Sequence, residues 1–128
     1  MSNLVVSNIS DGTTSVGTGY VVNGSAKAWV NFNGTGTIAT RDSFNVSSLS
    51  DDATGNYDTN FTSSFANANY SGPYSCGYGA AVSNNDVHPS SGFTVANTAT
   101  FSNVGVINGA RSTVDVDYIT GTFTGDLA

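Results

Sequence analysis

Residues 26–33 read Ala-Lys-Ala-Trp-Val-Asn-Phe-Asn. Ala26, Ala28, Val30 and Phe32 fall on one side of an extended chain, and Lys27, Trp29, Asn31 and Asn33 on the other. A period of two marks a strand with one buried face. Asn33-Gly34 then supplies a tight-turn dipeptide, and Thr35 to Arg41 reads as the returning strand. The pattern recurs at Phe44–Leu49, Tyr57–Phe61, Phe93–Ala96, Thr100–Ile107 and Ser112–Phe123. Asp51 to Asn56, His88 to Gly92 and Asn108-Gly109 read as the joints between them. Short strands at such spacing predict an all-β domain, an antiparallel β-sandwich of jelly-roll type with eight to ten strands and at most a token helix. Upstream, Asn3 to Ile9 reads as one short strand and Thr13 to Gly19 as a connector. Residues 1–25 are therefore set apart from residues 26–128, which form the domain.

Composition points the same way. In 128 residues there is no Glu and no Gln, against 14 Val, 16 Thr and 13 Phe plus Tyr. These are strand formers rather than helix formers. Nine Asp against Lys27, Arg41 and Arg111 leave a net charge of −6, and three scattered cations make no stripe for nucleic-acid phosphates. Nor does any apolar run approach the roughly 20 residues of a membrane-spanning helix. Cys76 is the one cysteine, so neither a disulfide framework nor a thiolate zinc site is expected. Ser-Asn-Leu-Val-Val after Met1 has no basic or apolar leader character, which leads us to expect synthesis and folding in a cytoplasm.

Residues with catalytic potential are sparse, and no cofactor is expected. The sole histidine, His88, precedes Pro89 and has no nucleophile motif near it. Asp115 and Asp117, two residues apart, have the spacing of a glycosidase pair on one strand face; the plainer reading is two solvated charges that keep a strand from aggregating. Asp51 to Asp58 carries oxygen ligands at loose spacing for calcium, but Asp, Asn and Gly are also what a turn prefers. Tyr70, Tyr74 and Tyr78, four residues apart among Gly, Ser and Pro, have the chemistry of adaptable binding surfaces. With His88 they are the candidates for contact with a glycan, a receptor or another protein partner; the alternative is that the tyrosines line the core or a subunit interface. Trp29 alternates out of phase with Ala28, Val30 and Phe32, which turns the indole outward with Lys27 and Asn31. Aromatic residues are enriched at interfaces, so Trp29, Lys27 and Asn31 are expected to form an oligomer contact. The alternative buries Trp29 under a second layer.

Residues 26–38 (AKAWVNFNGTGTI), 41–49 (RDSFNVSSL), 52–57 (DATGNY) and Asn60-Phe61 resemble a module common in bacteriophage tail fibre proteins. The match spans about 45 residues, and the closing Phe123 to Ala128 is similar to the ends of those fibres. The resemblance implies a homotrimeric virion protein, made in the host cytoplasm and assembled on the particle. Such a protein contacts other tail or capsid proteins and a glycan or protein of the host surface. It carries over no catalytic residue. In the family the module usually closes a longer chain. Here it is most of the sequence, which suggests a small tail fibre, fibre tip or head spike docked through residues 1–25, or a capsid decoration protein. A polysaccharide depolymerase is the enzymatic alternative.

Overall fold

The computed structural model describes residues 1–78, 87–90 and 95–128. The main body contains two antiparallel sheets. One runs β4 (Ala39–Phe44), β3 (Ala26–Asn33), β11 (Tyr118–Thr124) and β7 (Tyr74–Gly77). The other runs β5 (Val46–Ala53), β6 (Asn56–Phe61), β10 (Thr100–Asn108) and β8 (Val87–Ser90), with β9 (Val95–Ala96) also paired to β10. Ahead of them lie a hairpin of β1 (Asn8–Ser10) with β2 (Ser15–Gly17) and the seven-residue helix α1 (Thr18–Gly24). The expected all-β class holds. Eleven strands stand among the described residues, and the additions to the expected set are short.

The alternation of residues 26–33 is seen directly: Ala28, Val30 and Phe32 are buried, and Lys27, Trp29, Asn31 and Asn33 are half-exposed. Inward residues of both sheets meet in two clusters. In one, Phe61, Phe65, Phe101 and Phe123 close around Ala28, with Phe61 edge-on to Phe65 and to Phe123, each at 4.9 Å. In the other, Val30, Phe32 and Ile119 of the four-stranded sheet meet Tyr57 and Val106 of the five-stranded one. Edge-to-face rings add directional attraction to the burial of large apolar area.

Several local expectations are corrected. Phe44 to Leu49 is not one strand: Phe44 ends β4, and Asn45, at φ 55°, turns the chain into the other sheet. The Asn45 side chain holds that corner, donating to the Lys27 and Ser63 carbonyls and accepting from the Ser63 N–H. Asp51 to Asn56 is mostly strand, and the turn shrinks to Thr54-Gly55, with Gly55 at φ 65°. Ser112 to Phe123 is strand only from Tyr118. Val116 and Ile119, three apart, both point inward, so Tyr118 faces out. Helix α1 begins inside the expected connector. His88-Pro89-Ser90, expected in a loop, pairs with β10 as β8; Ser91-Gly92 and Phe93-Thr94 lie outside the described residues.

Gly121 is required by close approach. A Cβ there would stand 2.7 Å from the ring of Tyr74, its partner across β7. Gly121→Ala should therefore lower stability by about 1–3 kcal/mol in chemical denaturation, the usual cost of forcing an extra carbon into a packed core. Burial also raises the hydroxyl pKa values of Tyr57, Tyr70 and Tyr74, that of Tyr70 to about 12. Raised folded-state values mean stability is intact below the unfolded tyrosine pKa of about 10 and declines as pH rises above it. An absorbance titration at alkaline pH should show these hydroxyls ionising together with unfolding.

Candidate functional site: an outward aromatic face

Because β3 lies between β4 and β11, its outward residues sit in the middle of an exposed sheet face. Trp29 is flanked across the strands by Phe44 and Thr122, and Asn31 by Asp42 and Thr120. Tyr118 also faces out. Phe44 is 56% and Tyr118 45% exposed, values high for aromatic rings.

Arg41 completes the face. The register between β3 and β4 shifts so that Asn31 pairs with Asp42 and Phe32 with Thr40, leaving Arg41 as the extra residue of a bulge. A bulge re-aims its side chain. The guanidinium reaches across β3, donates to Asn31 Oδ1 at 3.4 Å and lies 4.1 Å from the centre of the Tyr118 ring. A cation held over a ring face gains electrostatic attraction and leaves its remaining N–H groups available. The face offers ring surfaces, hydroxyls, an amide and a guanidinium, the means of non-covalent contact through stacking, ion pairing and hydrogen bonding.

The expected trio of Trp29, Lys27 and Asn31 is thus split. Trp29 and Asn31 share the face, whereas the Lys27 ammonium turns back to the C-terminal end of α1. There it donates to the Val22 and Ser25 carbonyls and to Ser25 Oγ. Phe44, Arg41 and Tyr118 were not singled out by sequence. Arg41 depends on a bulge and Tyr118 on a slip in alternation, neither of which leaves a local signal; Phe44 was legible only as a strand residue.

The receptor candidates do not form one surface. Tyr74 stacks on Phe101 at 5.5 Å and meets Phe123 edge-on, with its hydroxyl 2.6 Å from Thr59 Oγ1. Tyr70 stacks on Phe65 at 4.1 Å and donates to the carbonyls of Asn97 and Thr100. Tyr78 packs beside the other cluster. These tyrosines take the core-lining place that sequence left open as the alternative. His88 is exposed on β8 opposite Ile107.

The acidic candidates are also separated in role. Asp115 precedes β11 and accepts from the Gly55 N–H at 2.7 Å and the Tyr57 hydroxyl at 2.8 Å, so it is a structural acceptor. Asp52 is held above the usual carboxylate range by partial loss of solvent and by Asp58 and Asp51 nearby. Burial pushes the Cys76 thiol up, away from the reactive thiolate. Among the described residues no group of three His, Cys or Asp side chains converges as a metal site would require.

The Arg41–Tyr118 contact predicts a measurable coupling. Denaturation of Arg41→Ala, Tyr118→Ala and the double variant should give an interaction energy of about 0.5–1 kcal/mol, as expected for an exposed cation over a ring.

Comparison with known proteins finds no matching family model, no matching curated relative and no matching solved structure.

Proposed function

We propose that this chain is a non-enzymatic structural protein of a bacteriophage particle. In this reading it is a tail fibre, fibre-tip or head-spike subunit that attaches the virion to the host surface, its two sheets forming a β-sandwich of jelly-roll type assembled as a homotrimer. One observation carries the reading: the stretch that resembles the phage fibre module builds the outward aromatic face. Residues 26–49 supply β3 with Trp29 and Asn31, the Arg41 bulge, Phe44 and the Asn45 corner. A half-buried indole beside an exposed phenyl ring, on a domain with a small core, favours association of copies through this face. The engagement of Asp115 by Gly55 and Tyr57 weighs against its use as half of a glycosidase pair.

Gold-labelled antibody against the chain should mark the tail or a head spike on phage particles, and the purified protein should compete with phage adsorption to host cells. Label spread evenly over the capsid, with no effect on adsorption, would favour a decoration protein. Release of reducing ends from capsule or lipopolysaccharide would make it a depolymerase. For the assembly, light scattering should give about three times the 13.0 kDa chain mass. Trp29→Ser should dissociate that species or lower its melting temperature, and Asp126→Asn should do neither. A monodisperse species of one chain mass would defeat the trimer.

A further inference from the structure

Residues 1–25 form an arm in which every residue is exposed except Gly17 and Thr18, which are half-buried. Nine of the twelve exposed large hydrophobic residues among those described lie in it: Met1, Leu4, Val5, Val6, Ile9, Val16, Tyr20, Val21 and Val22. A monomer rarely leaves so concentrated an apolar set in water. Its secondary structure is also incomplete. A lone two-stranded hairpin is marginal in water, and a helix of two turns with no buried residue gains nothing from packing. The hairpin and α1 are joined by the Thr18 N–H and hydroxyl on the Ser7 carbonyl, and Lys27 fastens the far end of α1.

We propose that this arm is a self-association element, completed by the same segment of other copies of this chain. Charge decides the occupant. Of the nine Asp and three cations of the chain, eight Asp and all three cations lie beyond residue 25. The arm has one charged side chain, Asp11, and its carboxylate is taken up by the N–H groups of Thr13 and Thr14 in the β1–β2 turn. Arms that carry one charged side chain each meet with little like-charge repulsion. An apolar groove lined by Gly17, Gly19, Tyr20, Asn23 and Gly24 opens along α1, with space above Gly19 and Gly24 for a side chain from a neighbouring arm. Closed symmetry around such a contact buries each arm against its equivalents.

The proposal extends the attachment reading and is separable from it. Sedimentation of the full chain at micromolar concentration should show an oligomer, and the double variant Val5→Asp with Val22→Asp should sediment as single chains. An unchanged far-ultraviolet circular dichroism β-signal in that variant would show the sheets intact, since both residues are exposed and outside the core. As a second measurement, Tyr20→Cys should form an interchain disulfide on mild oxidation. A single-chain wild type, or an oligomer that withstands the double variant while Tyr20→Cys fails to cross-link, would overturn the proposal. Dissociation by Trp29→Ser but not by the arm variant would leave the attachment reading standing without it, and an arm that sediments alone but binds another virion protein would place that protein in the groove instead.

Discussion

The buried hydroxyl of Tyr57 ties the two sheets to each other. Tyr57 belongs to β6 and is fully buried, yet its oxygen lies 3.1 Å from the Gly34 carbonyl beyond β3 and 2.8 Å from Asp115 ahead of β11. One O–H proton cannot serve two acceptors fully, and the carboxylate is the stronger. Asp115 in turn accepts from the N–H of Gly55 in the β5–β6 turn. A phenol, a carboxylate and two glycines thus link segments far apart in sequence. Gly34 cannot carry a side chain, because a Cβ there would stand 2.5 Å from the same hydroxyl. With no disulfide, the fold relies on this polar knot and on the rings around it. A buried polar network of this kind costs heavily if any member is removed.

That knot also explains what sequence could and could not convey. The alternation through Ala28, Val30 and Phe32 is local, so the inner face of β3 was legible, and with it the outward direction of Trp29. Asp115 was not legible as a structural acceptor, because its partners Tyr57 and Gly55 are about sixty residues away in the chain. The alternation slips between Val116 and Ile119, and Tyr118 faces out. Arg41 was hidden for a related reason: a bulge exists only relative to the neighbouring strand. Tyr70 and Tyr74 have the composition of a binding loop, but Phe65, Phe101 and Phe123 surround them. Ring packing then outweighs any preference of the hydroxyls for water.

Two regions of the surface differ in kind. The face around Trp29 is rigidly backed, since every outward residue of β3 alternates with one sunk in the core. The arm before it has no such backing, and its contact with the body includes the Lys27 ammonium at the end of α1. A basic group on the last carbonyls of a helix is favourable electrostatically. The contact buries none of the large apolar side chains of the arm.

The bulge at Arg41 has a further consequence for how copies can grow together. Terminal strands of open sheets present unpaired backbone groups and invite addition of a foreign strand, which natural proteins deter with charges, bulges, proline or shortness. β4 has its bulge with Arg41 and Asp42, and β5 has two register shifts with Asp51 and Asp52. β7 is four residues long, and β8 is four residues long with Pro89 within it. β1 and β2 have no charge, proline or bulge, but at three residues each they are shorter still. Among the described strands, every edge carries one of these devices, and open-ended stacking of the sheets into fibrils is discouraged.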